Sequence, residues 1–131
     1  MNLDREWEKF KGGPTIASQK RFYVTMNANG AIFLNSNTHK ALGSPAGVAL
    51  YYHRDKDTIA IEPANVRLAE SFPVNQRSSG WMVYASPFCR HFRIKLSTTE
   101  SFINPDVNDQ GALLLNLRTT VTVSGPIRKR P

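Results

Sequence analysis

The side chains that perform nucleophilic or metal chemistry are few and scattered in this chain. The three histidines, His39, His53 and His91, show no His-x-x-His or Glu-x-x-His spacing, so a metal site is not expected. The single cysteine, Cys89, excludes an internal disulfide and a Cys-x-x-Cys site, and we expect a buried, inert thiol. The aspartates of the predicted hairpin turns fit a role in local backbone hydrogen bonding: Asp55, Asp57, Asp106 and Asp109. We therefore predict a protein that is not an enzyme, with no catalytic residues, metal or cofactor.

Basic side chains are the remaining candidates for a functional site. The formal net charge of the 131 residues is +7, and the segment 67–97 holds five basic residues against one acidic residue. A net +4 in 31 residues indicates a basic face and an anionic partner such as nucleic acid. We predict that phosphates contact six residues: Arg21, Lys40, Arg77, Arg90, Arg93 and Lys95. The alternative is that these charges only keep the molecule soluble.

Two aromatic residues, Trp81 and Tyr84, lie close in sequence to this basic segment. Aromatic rings on a strand can stack on the bases of a single-stranded nucleic acid. The alternative is that both rings belong to the core or to an interface.

The segment 21–63 carries the clearest secondary-structure pattern. A strand is predicted around Phe22–Met26, a type I′ turn at Asn29-Gly30, and a return strand over Ala31–Leu34. A short helix follows, with a cap among residues 35–37 and a close at Leu42-Gly43. Strands are then predicted over residues 48–52 and 58–62. This half therefore has the order β-β-α-β-β.

The same order recurs when the sequence is shifted by 50 residues. Gly30 then falls on Gly80 and Ser36 on Ser86, although only four of the 22 positions from 22 to 43 are identical. Ser86-Pro87 predicts a helix opening, with a serine cap and a proline in the first position. Strands are predicted near residues 98–103 and 112–117. We interpret the chain as a duplication whose halves pair about a pseudo-two-fold axis, since one unit alone is too small to be stable.

These patterns divide the chain into four parts. Residues 1–19 form an N-terminal arm, or a short helix with Trp7 and Phe10 on one face, and residues 20–66 form the first repeat. The second repeat spans residues 67–118. Residues 119–131 are predicted to form a C-terminal strand and a basic tail.

The segment 24–63 resembles the AbrB-type swapped-hairpin domain. The resemblance lies in Gly30 after the first strand, in the helix closing at Leu42-Gly43, and in a last strand that ends at Pro63. The duplication is similar to the tandem arrangement of MraZ-type proteins. The resemblance implies a mainly β fold with short helices, in which two β-β-α-β-β units form an intrachain swapped-hairpin barrel. It also implies DNA binding through Arg21, His39 and Lys40, with Arg90 in the place of Lys40 in the second unit.

The resulting functional prediction is a non-enzymatic, DNA-binding, regulator-like protein. The alternative is a protein–protein interaction module that uses the same fold without nucleic acid. The pseudo-dimer can also form a homodimer. No apolar run approaches the roughly 20 residues of a membrane helix, and the N-terminal residues lack the apolar stretch of a signal peptide. We therefore expect a cytoplasmic protein without a membrane partner.

Overall fold

The computed structural model describes residues 21–123, which form eleven strands and two short helices. The elements of the first half are β1 (Val24–Met26), β2 (Ala31–Leu34), α1 (Ser36–Ala41), β3 (Gly47–His53) and β4 (Thr58–Pro63). Those of the second half are β5 (Phe72–Pro73), β6 (Asn75–Arg77), β7 (Gly80–Tyr84), α2 (Ser86–Phe92), β8 (Glu100–Phe102), β9 (Asp106–Val107), β10 (Leu113–Asn116) and β11 (Thr120–Thr122). The prediction of a mainly β fold with short helices is confirmed. The predicted arm 1–19 and the basic tail lie outside the described residues.

The strands form two antiparallel sheets. Sheet A has the order β11-β8-β1-β2-β7-β6, and sheet B has the order β5-β3-β4-β10-β9. Neither sheet closes on itself within residues 21–123, so the predicted barrel is wrong. At Val74 the chain passes from β5, an edge strand of sheet B, to β6, an edge strand of sheet A, so this step links the two sheets. The physical reason lies at the opposite edges, where β9 and β11 each pair with one neighbour and not with each other.

Two strands of equivalent position in the two halves, β2 and β7, are neighbours in sheet A. Ile32 pairs with Val83, and Phe33 pairs with Met82. Under the shift of 50 residues Ile32 corresponds to Met82 and Phe33 to Val83, so each pair maps onto the other. The register of this pairing is therefore symmetric with respect to the shift.

The first strand of each half pairs with the post-helix strand of the other half. In sheet A, β1 pairs with β8 through Thr25 and Ser101. In sheet B, β5 pairs with β3 through Phe72 and Val48. Strand β4 also pairs with β10, so the two halves share four antiparallel pairings.

One hydrophobic core draws on both halves of the chain. Alternation along β4 buries Ile59 and Ile61, and alternation along β10 buries Leu113 and Leu115. The core also contains Val24, Met26, Ile32, Leu34, Val48, Val83 and Phe88. Because these side chains form one cluster, neither half has a separate core among the described residues.

The turn between β1 and β2 differs from the predicted type I′ turn. Gly30 has a φ of 85°, whereas Asn29 is not among the residues with positive φ. The N–H of Gly30 donates to the carbonyl of Asn27 at 3.0 Å, and the ladder continues at Asn27 and Ala31. A turn followed by one residue in the left-handed conformation is typical of three-residue hairpin loops, which are longer than the two-residue loop of a type I′ turn. The side chain of Asn27 stabilises this loop by accepting hydrogen bonds from the N–H groups of Asn29 and Ala31.

The two helices begin differently and end alike. The Asn35 side chain caps α1 by accepting from the N–H of Thr38 at 3.1 Å, as predicted. The N-cap of α2 is Ala85, which makes no side-chain cap bond, so the predicted cap role of Ser86 is wrong. Ser86 lies inside the helix, where its Oγ accepts from Arg90 at 2.7 Å. Each helix is followed by a left-handed residue, Gly43 (φ 91°) or Arg93 (φ 59°).

Candidate nucleic-acid interface

Three of the six predicted phosphate-contacting residues line one groove. This groove, which we call the α2 groove, has a volume of about 840 Å³ and lies between the β1–β2 turn and α2. Its lining consists of Ala28, Asn29, Gly30, Ser86, Cys89, Arg90, Arg93, Ile94, Lys95 and Leu96. Arg90, Arg93 and Lys95 are exposed, and the lining contains no acidic side chain. The groove therefore presents a positive surface to an anionic ligand.

The close approach between the turn and the helix defines the wall of the α2 groove. A Cβ atom on Gly30 would lie 3.0 Å from the Cα of Ser86 and 3.3 Å from the Sγ of Cys89. The backbone N–H of Ala85 also donates to the carbonyl of Gly30 at 2.9 Å. The first half thus supplies one wall of the groove, and the second half supplies its basic residues.

A second groove continues from the α2 groove and adds two arginines that the sequence did not reveal. This adjoining groove has a volume of about 460 Å³ and shares Arg93, Ile94, Lys95 and Leu96 with the α2 groove. Its other lining residues are Tyr52, Arg54, Asp57, Leu117 and Arg118. Arg54 and Arg118 come from turns far apart in sequence, so only the pairing of β4 with β10 places them together. No local sequence pattern predicts that proximity.

One carboxylate, Asp57, lies among the cations of the adjoining groove. The hydroxyl of Tyr52 donates to its Oδ1 at 2.5 Å, and this hydrogen bond raises the pKa of Tyr52. Arg118 donates from Nη2 to the carbonyl of Asp55 at 2.6 Å, and the Arg54 guanidinium lies 5.7 Å from the ring centre of Phe92. The adjoining groove is therefore basic but contains one acceptor of its own.

Arg21 lies in a different groove, beside α1. That α1 groove has a volume of about 640 Å³ and is lined by Arg21, Tyr23, Phe33, Asn35, Ser36, Asn37 and Ser79. The Arg21 guanidinium lies 5.9 Å from the ring centre of Tyr23. Arg21 is the one basic residue in this lining, so the structure does not bring it together with Arg90 and Arg93.

Lys40 and Arg77 line none of these three grooves. Lys40 is exposed on α1. Arg77 lies on the edge strand β6, where its guanidinium is 5.4 Å from the ring centre of Tyr84 and donates a hydrogen bond to the hydroxyl of that tyrosine. The predicted set of six residues is thus divided among separate surfaces.

The two candidate stacking residues differ in exposure. Trp81 is half-buried and stacks on His39, with ring centres 3.9 Å apart and planes inclined by 24°. Its indole therefore packs within the fold, as the alternative interpretation predicts. Tyr84 is 47% exposed on β7 but contacts Arg77 away from the α2 groove. Neither ring joins the basic residues of that groove.

Two of the remaining candidates for chemistry, Cys89 and His39, are buried and make contacts within the fold. Cys89 is buried with its Sγ 3.9 Å from the Sδ of Met26, and this burial raises the pKa of the thiol. His39 is buried, with Nε2 2.8 Å from the carbonyl oxygen of Pro45. Within residues 21–123 no group of three or more His, Cys, Asp or Glu side chains is placed to hold a metal ion.

Comparison with models of known protein families, with curated proteins and with solved structures finds no match for this chain. Neither of the two helices in the described part of the chain is long and apolar enough to cross a membrane. The case for a function therefore depends on the fold and on the geometry of the grooves.

Proposed function

We propose that the chain is a non-enzymatic DNA-binding protein with a tandem, AbrB-like swapped-hairpin topology. The symmetric register of β2 and β7 supports a duplication. The exchange of partners by β1 and β5, each of which pairs with the other half, supports interlocked rather than side-by-side units.

The hydrogen bonds at the ends of the two helices agree with this proposal. The N–H of Gly43 donates to Lys40 and that of Ser44 to His39, and the equivalent residues Arg93 and Ile94 donate to Arg90 and Cys89.

The observation that carries the functional proposal is the α2 groove. Arg90, Arg93 and Lys95 converge there without an acidic side chain in the lining. A phosphate backbone gains affinity from such a surface because each contact releases condensed counterions. The lining has three basic side chains and one amide side chain, that of Asn29. We therefore propose that it binds the DNA backbone and contributes little to the choice of sequence.

A charge-matched pair of variants tests this proposal. In the groove variant, Arg90, Arg93 and Lys95 are replaced by Gln. In the control variant, Lys40, Arg67 and Arg77, which do not line the α2 groove, are replaced by Gln, so both proteins lose three positive charges. Binding to a fluorescent DNA duplex of about 20 base pairs is measured by anisotropy at about 50 and 200 mM salt.

We expect the groove variant to bind at least about tenfold more weakly than the control variant, with a salt slope reduced by about 3. Equal losses in both variants would mean that net charge rather than the groove determines binding. No binding by the wild-type protein at the lower salt concentration would reject nucleic-acid binding altogether and favour the alternative of a protein-interaction module.

A further inference from the structure

Arg93 adopts a backbone conformation that favours glycine. It is the C-cap of α2, with φ 59° and ψ 39°, in the left-handed region. A Cβ atom is disfavoured in this region because it approaches the following carbonyl oxygen. At the equivalent position after α1 the chain has Gly43, with a φ of 91°. The second half therefore has an arginine at the position where the first half has a glycine, the residue that best tolerates a left-handed backbone.

The hydrogen bonds at this helix end do not explain the arginine. The N–H of Arg93 donates to the carbonyl of Arg90 at 3.3 Å, and the N–H of Ile94 donates to that of Cys89 at 2.8 Å. Both are backbone bonds that a glycine at position 93 would also permit. The Arg93 side chain is exposed, so the hydrophobic core does not require it.

The position of Arg93 relative to the two basic grooves supplies an explanation. Arg93 and Lys95 are the two cations that line both the α2 groove and the adjoining groove. Arg90 belongs to the α2 groove alone, and Arg54 and Arg118 belong to the adjoining groove alone. A phosphate chain that passes from one groove to the other would therefore lie beside Arg93 and Lys95.

We propose that a single phosphodiester backbone runs through both grooves, and that Arg93 contacts the phosphate at their junction. This proposal rests on the proposed function and extends it to Arg54 and Arg118, which no sequence pattern indicated. A residue in an unfavourable backbone conformation at a binding surface is consistent with function at the expense of stability. The Arg93 side chain thus strengthens binding, while its left-handed backbone conformation lowers the stability of the fold.

Three single variants separate the backbone effect from the charge effect. R93G removes both the conformational cost and the guanidinium, and R93Q removes only the guanidinium. S44G is the matched control, because Ser44 also has a positive φ (53°) at the end of α1 and lines neither basic groove. Thermal unfolding and duplex binding at two salt concentrations are measured for each variant and for the wild-type protein.

We expect R93G to raise Tm by about 2–5 °C and to weaken duplex binding by about tenfold, with a salt slope lower by about 1. R93Q should weaken binding equally without raising Tm, and S44G should raise Tm without weakening binding. An unchanged affinity and salt slope in R93G and R93Q, with the wild-type protein still binding, would overturn the role of Arg93 and leave the proposed function standing. An R93G protein no more stable than wild type would overturn the conformational argument.

The double variant R54Q/R118Q tests whether the phosphate backbone also contacts the adjoining groove. We expect its salt slope to fall by about 2, because both contacts lie on the same path as Arg93. A salt slope equal to that of the wild-type protein would restrict the ligand to the α2 groove.

Discussion

At position 80 the junction between the two halves has room only for glycine. A Cβ atom on Gly80 would lie 2.5 Å from the carbonyl oxygen of Leu34 and 2.6 Å from the Cζ of Phe33. The oxygen belongs to the backbone of β2, which pairs with β7 in sheet A, so it cannot move away without disturbing the ladder between the halves. A one-carbon change at this position therefore tests the central pairing of the fold.

We predict that G80A lowers the free energy of unfolding by at least about 2 kcal/mol, because a strand backbone must shift to accept the methyl group. The control is G43A, where nothing lies within 4 Å of the added Cβ and only the positive φ opposes the change. Its cost should be about 1 kcal/mol. Chemical denaturation of the two variants measures the difference. A G80A protein as stable as G43A would contradict the close packing of β2 on β7.

The residue-scale features that the sequence predicted are those that local chemistry determines. Asn35 was a candidate cap because its amide matches the geometry of a helix start, and Gly43 was a candidate helix end because glycine tolerates a positive φ. Ser86 offered the same cap chemistry, but the chain enters α2 one residue earlier and the hydroxyl faces Arg90 instead. The left-handed conformation of Arg93 had no local signal.

At the scale of elements, one carboxylate joins the two strands at the edge of sheet A. Glu100, at the start of β8, accepts hydrogen bonds from the hydroxyls of Thr98, Thr120 and Thr122 at 2.8–3.0 Å. Thr120 and Thr122 belong to β11, so these bonds attach the edge strand to its neighbour. The hydrogen bonds, that from Thr98 first, lower the pKa of Glu100 below its ordinary value because they favour the charged form.

The lowered pKa of Glu100 determines the sign of a pH effect on stability. A carboxyl whose pKa is lower in the folded state stabilises the fold above its unfolded pKa of about 4.3, and this contribution is lost as the pH falls through the folded value. We predict that E100Q is less stable than the wild-type protein at pH 7 and that the difference narrows below about pH 4. Denaturation at pH 7, 5 and 3 measures it. A difference that is constant over this range would contradict an ionic role for Glu100.

The order of elements could be predicted from the sequence, but their pairing could not. The alternation of Ile59 and Ile61 indicated β4, and the strand predicted near residues 112–117 contains β10. The pairing of Leu113 with Ile61 joins residues far apart in sequence, and no local pattern specifies it. The barrel prediction was wrong for the same reason. Closure would require β9 and β11 to pair with each other, and which edge strands meet is a tertiary property.

At the scale of the whole molecule, the two halves share a strand plan and differ in their surfaces. Arg90, Arg93 and Lys95 of the α2 groove correspond under the shift of 50 residues to Lys40, Gly43 and Pro45. The counterparts of Ala31 and Cys89 are Trp81 on β7 and His39 on α1, and these two rings stack on each other. The pseudo-symmetric fold is therefore expected to offer one basic binding surface per chain rather than two.

The most direct test of this account is to follow the backbone amide resonances of the wild-type protein by NMR during titration with a short DNA duplex. We expect saturable shifts at Cys89 and Arg90, in residues 93–96, and at Asn29, Arg54 and Arg118, which line the two basic grooves. We expect little change at Lys40 and Gly43, the counterparts of Arg90 and Arg93 at α1. Shifts centred on those counterparts, or no shifts at all at low salt, would contradict a basic binding surface built on α2.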